Sequence, residues 1–269
     1  MTELIHKNLT YKVRGTLFDV HNALGPMLPE AFVRDAIAIC LEEKGISCIT
    51  EKQFTVYYRG VDVGRYFVDI WIEDGNLLLE LKVVPQLEAI HQAQAISYLK
   101  VTNADLALLA NFGTALVEVQ RLPNFVRDKQ VEFQWESKHT HIETPYPQLM
   151  EELLAVLYRV HFELGPGFLH QVYRRATMIE LRHQEVGFRY LKKTPIYFHG
   201  HHLGDQETRL INVEDKILTA TIAVRMVTEE MKAHLRVKMR FHDLDVGIIG
   251  NFHRAKLEIH LVRGGGNNG

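Results

Sequence analysis

The sequence predicts an α+β protein made of two tandem copies of one domain, each with a mixed central sheet flanked by helices. The stretch LFDVHNALGP at 17–26 recurs as LYRVHFELGP at 157–166, and this 140-residue shift holds without a gap far downstream. In each copy, apolar residues recur first at helical spacing and then at strand spacing. An Asp-Gly pair at 74–75 separates two alternating runs, which is typical of a β-hairpin. These observations together indicate a duplicated α+β domain.

The repeat also predicts the domain boundaries. We assign residues 1–122 to the first domain, 123–148 to a linker and 149–263 to the second domain. The linker is polar and bounded by prolines, as expected for a connecting segment. The remaining residues, 264–269, form a glycine-rich and asparagine-rich tail that is predicted to be flexible.

Composition narrows the class of protein. A length of 269 residues with 46% hydrophobic and 24% charged residues is ordinary for a soluble globular protein. A net charge of −2 argues against a protein that coats nucleic acid through bulk positive charge. Two cysteines suggest a reducing compartment rather than a disulfide framework. No apolar run approaches the roughly 18 residues of a membrane helix, so we expect a cytoplasmic protein with no membrane partner.

Each copy opens with two helices. Apolar residues recur at i, i+4, i+7 and i+11 in the first helix, which predicts an amphipathic helix. In the first copy these residues are Val13, Leu17, Val20 and Leu24. Gly25-Pro26 ends this helix, and a second is predicted over roughly 29–44, where Pro29 suits the first turn. The second copy repeats the pattern, with its second helix over roughly 169–184.

Strands make up most of the remainder of each copy. A hairpin with Arg59-Gly60 near its tip shares its second strand with the central hairpin, whose strands lie on either side of the Asp-Gly turn and end near residue 83. A helix over 86–100 comes next, followed by strands at 107–112 and 115–122. The predicted order is therefore αα-βββ-α-ββ, an α+β domain with a mixed sheet.

The central hairpin carries the candidate chemistry. If Asp74-Gly75 forms the turn, Asp69 stands opposite Glu80, whereas slipping the turn by one residue sets Asp69 opposite Lys82. These three residues share one face, and the other face is wholly apolar and predicted to be the core side. Opposed carboxylates are destabilising unless a cation lies between them, and a hard divalent ion would serve. The alternative is a solvated outer face of an antiparallel sheet.

The helix after the hairpin adds a polar stripe. His91, Gln94 and Tyr98 are spaced i, i+3 and i+7, so they lie on one side of the helix. The alternative for Tyr98 is packing in the core, since tyrosine is often half-buried.

The Asp-x10-Glu-x-Lys pattern on an apolar hairpin resembles the core motif of the PD-(D/E)XK nuclease superfamily. With His-x-x-Leu-Gly-Pro at 21–26 and Asn-Phe-Gly at 111–113, residues 5 to about 122 resemble the GxxExxY family within it. Gln94-x-x-x-Tyr98 resembles a motif of the RecB-like branch, in which the glutamine contacts substrate or holds a ligand carboxylate.

The resemblance implies roles for individual residues. Asp69 and Glu80, with the backbone carbonyl of Leu81, would hold Mg²⁺ or Mn²⁺. Glu30 occupies the glutamate of the GxxExxY motif and would be a further ligand; the alternative is a favourable charge near a helix N-terminus. Lys82 would orient the attacking water or stabilise the transition state; the alternative is a salt bridge to Asp69 or Glu80. His91, Gln94 and Tyr98 would line the cleft, with His91 contacting substrate.

The first copy departs from the name-giving motif at two positions. Met27 replaces its first glycine and Val33 replaces its tyrosine. The second copy keeps both residues, as Gly167 and Tyr173, but has His170 in place of the glutamate.

The second copy has lost the acidic motif. Under the 140-residue shift, Asp69, Glu80, Lys82, Gln94 and Tyr98 correspond to Arg209, Ala220, Ile222, His234 and Lys238. No metal site is expected there; Arg209 and Lys238 are predicted to contact substrate phosphates, or alternatively to be ordinary surface cations. The histidines at 199–202 lie at a hairpin tip and are predicted to be a solvated turn rather than a zinc site.

The sequence therefore predicts a metal-dependent nuclease for DNA or RNA, with its active site in the N-terminal copy. The alternative is a catalytically inactive nucleic-acid-binding or protein-interaction module on the same fold. Since the two copies are homologous, we also expect them to pair as an intramolecular pseudo-dimer.

Overall fold

The computed structural model describes residues 4–125, 132–134 and 143–264. The chain divides into two compact units. The first consists of Met1–Tyr57 and Gly64–Val131, and the second of Tyr58–Val63 and Glu132–Gly269. None of the helices in the described part of the chain combines the length and the apolar character that a bilayer crossing requires.

The first half of the chain has the predicted element order. Its elements are α1 (Lys7–Leu24), α2 (Glu30–Glu43), β1 (Ile49–Tyr58), β2 (Val61–Ile72), β3 (Leu77–Lys82), α3 (Ala89–Thr102), β4 (Leu106–Asn111) and β5 (Glu118–Pro123). The sheet order follows the chain order from β1 to β5. Strands β3 and β4 are parallel, while β2–β3 and β4–β5 are antiparallel, so the sheet is mixed as predicted.

The predicted core face of the hairpin is confirmed. Ile70, Ile72, Leu77, Leu79 and Leu81 pack in one cluster with residues of α1 and α2. The opposite face is not a solvated surface, because Trp71, Leu78 and Glu80 are also buried. The alternative of an exposed outer sheet face is therefore wrong, and the acidic motif lies in a largely dry environment.

The register of β2 and β3 agrees with the prediction, but the turn does not. Ile70 pairs with Leu79 and Ile72 with Leu77, so Asp69 is in line with Glu80. A short 3₁₀ turn over Glu73–Gly75 joins the strands, and Asn76, with φ 40°, takes the left-handed conformation expected for glycine. Gly75 is instead needed for space, because a Cβ there would lie 2.3 Å from Leu9 Cδ2 of α1.

The second half repeats the architecture. Its elements are α4 (Pro147–Leu164), α5 (His170–His183), β6 (Phe188–Phe198), β7 (His201–Val213), β8 (Ile217–Ile222), α6 (Glu229–Phe241), β9 (Val246–Asn251) and β10 (Glu258–Arg263). The sheet order is β6-β7-β8-β9-β10, with β8 and β9 parallel. The fold class is therefore the predicted one, two tandem α+β domains.

An asparagine clamp explains why Asn-Phe recurs in both copies. The Asn111 side chain accepts a hydrogen bond from Val84 N–H (3.0 Å) and donates one to Val84 C=O (2.9 Å). Asn251 makes the same two bonds to Val224, at 3.0 and 2.9 Å. The clamp holds the chain just after β3 or β8. In the first unit, that is where the acidic motif ends.

Substitution of Gly113 tests this clamp. A Cβ at Gly113 would lie 2.2 Å from Val84 O and 2.4 Å from Val84 N, so the backbone held by Asn111 must move. We expect Gly113→Ala to lower the free energy of unfolding by about 1–3 kcal/mol. The matched control is Gly15→Ala in α1, where a Cβ meets nothing within 4 Å. This variant should raise the free energy of unfolding by about 0.5–1 kcal/mol, because alanine favours the helix over glycine. Urea denaturation followed by circular dichroism measures both; equal stability of the two variants would contradict the clamp's role.

Candidate active site

The site begins where β2 and β3 stop pairing. The last paired residues are Ile70 and Leu79. Asp69, which precedes Ile70 on β2, contacts β3 through its side-chain carboxylate instead of its backbone. Asp69 Oδ2 accepts the backbone N–H of Leu81 at 2.8 Å. Burial raises the pKa of Asp69 to about 7, and the charge of Glu80 adds to this effect. Asp69 is therefore held at the end of β3 as a carboxylate that is costly to ionise.

Glu80 is buried, with 4% of its surface exposed, and both of its oxygens are bonded. Lys82 Nζ donates to Oε1 at 2.6 Å, and the Tyr66 hydroxyl donates to Oε2 at 3.0 Å. Burial raises the pKa of Glu80 even though both of these bonds oppose the rise. The salt bridge proposed as an alternative role of Lys82 is thus present, with Glu80 as its partner.

Glu30 joins the cluster from the first turn of α2, where the sequence placed it. Burial raises its pKa, followed by the charge of Asp69, while Lys82 and Arg34 lower it. Burial alone would lower the pKa of Lys82, but Glu80, Glu30 and Asp69 raise it. Three carboxylates from α2, β2 and β3 therefore influence one another around a single ammonium group. Sequence reasoning missed Arg34, which bonds Asp35 and Glu51.

Tyr66 is a site residue that the sequence did not reveal. Its ring stacks on Tyr98 of α3 at a centroid distance of 3.8 Å, while its hydroxyl bonds Glu80. Tyr98 is buried, so the predicted core-packing alternative is correct and the stack also connects α3 to Glu80. Strict strand alternation puts Tyr66 on the face opposite Asp69. That assumption holds only where β2 and β3 remain paired.

The other two polar residues of α3 lie at its beginning and middle. His91 Nδ1 accepts the Glu88 N–H at 2.9 Å, which completes a capping box at the start of α3. Gln94 lies half-buried one turn before Tyr98. His91 therefore has a structural role, and substrate contact by His91 or Gln94 stays a prediction.

The donor chemistry of the cluster suits a hard divalent cation. Carboxylate and carbonyl oxygens are the ligands that Mg²⁺ prefers. Burial, and to a lesser extent the neighbouring carboxylates, raises the pKa values of Asp69, Glu80 and Glu30, and a bound cation would favour their ionised forms. Among the described residues, no three His, Cys, Asp or Glu side chains converge into a metal-binding group. The fit therefore rests on charge and donor type rather than on a pre-assembled ligand set.

The equivalent region of the second unit is basic. Arg209 is half-exposed and pairs with Glu207 at 2.7 Å. Burial lowers the pKa of Arg174, and the charge of Arg209 contributes. Lys238 lies on α6 with its ammonium 5.9 Å from the Phe241 ring. Arg209 and Lys238 stand where the first unit has Asp69 and Tyr98, whereas Arg174 corresponds to Arg34.

The comparisons with known proteins agree with this geometry. A family model described as the PD-(D/E)XK nuclease superfamily matches residues 7–122 and again residues 147–263. Neither a curated protein nor a solved structure matches the chain. The family model does not single out the GxxExxY family, so that narrower resemblance stays a prediction. The two matches cover most of the chain, which therefore belongs to the PD-(D/E)XK nuclease superfamily and carries two copies of its domain in tandem.

Proposed function

We propose that this protein is a metal-dependent nuclease that hydrolyses phosphodiester bonds in DNA or RNA, with one active site in the first unit. The observation that carries the proposal is the cluster of buried Glu80 with half-buried Asp69, Glu30 and Lys82. Burying several carboxylates beside one ammonium is costly, and a bound cation would offset that cost. Structural cores have no need of such a cluster, so its presence favours catalysis over packing.

The residues divide into ligands and charge stabilisers. Asp69, Glu80 and the Leu81 carbonyl, with Glu30, would hold Mg²⁺ or Mn²⁺, which supplies Lewis acidity and a more acidic bound water. Lys82 is kept beside these ligands by its bond to Glu80. From there its ammonium would orient the attacking water or stabilise the charge that develops on the phosphate.

The α3 stripe and the second unit would bind substrate. His91 and Gln94 lie on the same helix as Tyr98, which stacks against Tyr66 beside Glu80. Arg209 and Lys238 would contact phosphates in the second unit, where no acidic motif competes. The copies would pair as an intramolecular pseudo-dimer with one active site. One strand would then be cut per binding event.

A second candidate function is a non-catalytic nucleic-acid-binding or protein-interaction module. The observation in its favour is the altered motif around Glu30, with Met27 and Val33 in place of glycine and tyrosine. Met27 has φ 67°, a left-handed conformation that glycine adopts more readily.

Removal of the ligand charges should abolish activity. We expect Asp69→Asn and Glu80→Gln each to reduce Mg²⁺-dependent cleavage of a mixed set of DNA and RNA substrates to background. Mn²⁺ binding measured by calorimetry should be lost in the same variants. Asp74→Asn is the matched control, because Asp74 is an exposed acid in the turn of the same hairpin. Cleavage and Mn²⁺ binding that survive in both ligand variants would favour the non-catalytic module.

Lys82 should affect turnover more than binding. If its ammonium acts on the water or the transition state, Lys82→Ala should lower kcat by about 10²-fold or more and weaken nucleic-acid binding far less. Lys52→Ala is the control, since Lys52 lies on β1 and pairs with Glu73 of the turn. An equal loss of turnover and binding would show that Lys82 only contacts substrate phosphates.

Tyr66 should act through Glu80. Tyr66→Phe keeps the ring that stacks on Tyr98 but removes the hydrogen bond to Glu80, which is worth roughly 1.5–3 kcal/mol for a charged acceptor. We expect kcat to fall about tenfold or more, with KM almost unchanged and some loss of thermal stability from the unpaired Glu80 oxygen. Tyr66→Leu should lose more stability, because the stack is lost as well. A Tyr66→Phe variant with wild-type kcat would show that the hydroxyl does not position Glu80.

A further inference from the structure

A buried ion pair holds the tip of the β1–β2 hairpin, residues 58–63, within the second unit. Glu180 of α5 has none of its surface exposed, and its carboxylate is bonded on both oxygens. The Tyr58 hydroxyl donates to Oε2 at 2.7 Å, and Arg59 donates to both oxygens at 2.5 and 3.0 Å. Burial alone would raise the pKa of Glu180, but the bonds from Arg59, Gln184 and Tyr58 lower it to about 2. The tip is therefore firmly held.

Apolar side chains of the tip and of α5 are buried as well. Tyr58 is 3% exposed and Val63 is fully buried, as is Val172 on α5. Arg175 donates to the Val63 carbonyl at 3.4 Å. In the second unit, α5 thus accepts a hairpin tip through the Glu180 carboxylate and the Arg175 bond, in a region where apolar side chains of both partners are buried.

The 140-residue repeat supplies an equivalent of the hairpin tip and an equivalent of the helical surface that accepts it. Both equivalents carry exposed apolar side chains. The tip of the β6–β7 hairpin, residues 198–203, corresponds to 58–63; its Phe198 and Leu203 are 62% and 67% exposed. On the surface of α1 and α2, Phe32 corresponds to Val172 and is 64% exposed. Ile39, one residue before the counterpart of Glu180, is 59% exposed. The chain therefore contains two equivalent pairs of surfaces. In the mated pair, the tip 58–63 contacts α5 of the second unit; in the unmated pair, the tip 198–203 and the α1–α2 surface are both exposed.

We infer that the exposed tip 198–203 of one molecule docks on the α1–α2 surface of a second copy of this chain. The occupant follows from equivalence, since the second unit holds the corresponding tip on the corresponding helices. Large apolar side chains on both surfaces would be removed from water in the contact. Because the tip and its acceptor are different patches, the contact is heterologous and joins molecules head to tail.

The unmated pair lacks the ion pair of the mated one. His199 stands in place of Arg59, and Cys40 in place of Glu180. The cations Arg159 and Arg175 are replaced by Asp19 and Asp35 on the acceptor helices. Docking therefore depends on the apolar contact. It also brings the His199 imidazole close to an acceptor surface that is more acidic than its counterpart. Such a contact forms a reversible, concentration-dependent association rather than a permanent one.

The test uses the full chain with two double variants. Phe198→Asp with Leu203→Asp removes the tip, and Phe32→Asp with Ile39→Asp removes the acceptor. Sedimentation velocity should show that the weight-average mass of the wild type rises with concentration up to roughly 100 μM. Each double variant should sediment as a monomer. Leu116→Asp is the control, because Leu116 is exposed outside both surfaces and should leave the association unchanged.

Mixing the two double variants gives the decisive result. Each retains one intact partner, so an equimolar mixture should form a dimer that cannot grow further, whereas neither variant associates alone. A wild type that stays monomeric throughout the concentration range overturns the inference, as does a mixture that stays monomeric. Association that survives in either double variant alone also overturns it. Circular dichroism checks folding, and Phe198→Ser and Phe32→Ser replace any variant that fails to fold.

Discussion

The divergence of β2 from β3 beyond the Ile70–Leu79 pair is the constraint on which the candidate site depends. While the two strands remain paired, their side chains alternate between the α1–α2 core and the opposite side of the sheet. At Asp69 the carboxylate accepts a hydrogen bond from the Leu81 N–H, so a side chain replaces the backbone carbonyl that would accept it in a continuous sheet. This exchange fixes an acidic group at the end of β3, beside Glu80 and within the influence of Glu30.

Electrostatics then determines how the surrounding residues are arranged. Glu80 is buried and needs donors on both oxygens, which Lys82 and Tyr66 provide. Tyr66 is in turn held by its stack on Tyr98, so α3 supports a carboxylate that it does not itself carry. Each neighbour of the cluster thus compensates for a charge that burial makes expensive.

The second copy shows what the fold requires apart from this chemistry. It retains the asparagine clamp after its third strand, with Asn251 in the role of Asn111. It replaces Asp69, Glu80 and Lys82 with arginine, alanine and isoleucine. The sheet order and the parallel pair are the same in both copies. The acidic cluster is therefore not needed to build the domain, which strengthens its assignment to function.

Local and repeating features of the sequence determined a large part of this description. Periodicity and a 140-residue repeat determined the element order, the duplication and the core face of the hairpin, while the Asp-Gly pair left two registers open, of which the structure has the one that aligns Asp69 with Glu80. These features could be predicted because they depend on residues that are close along the chain or on the similarity between its two halves. Only the tertiary structure decided the left-handed Asn76, the bond from Tyr66 to Glu80 and the ion pair between Arg59 and Glu180. Those features depend on where strand pairing ends and on which distant residues share a buried volume, and no spacing along the chain encodes either.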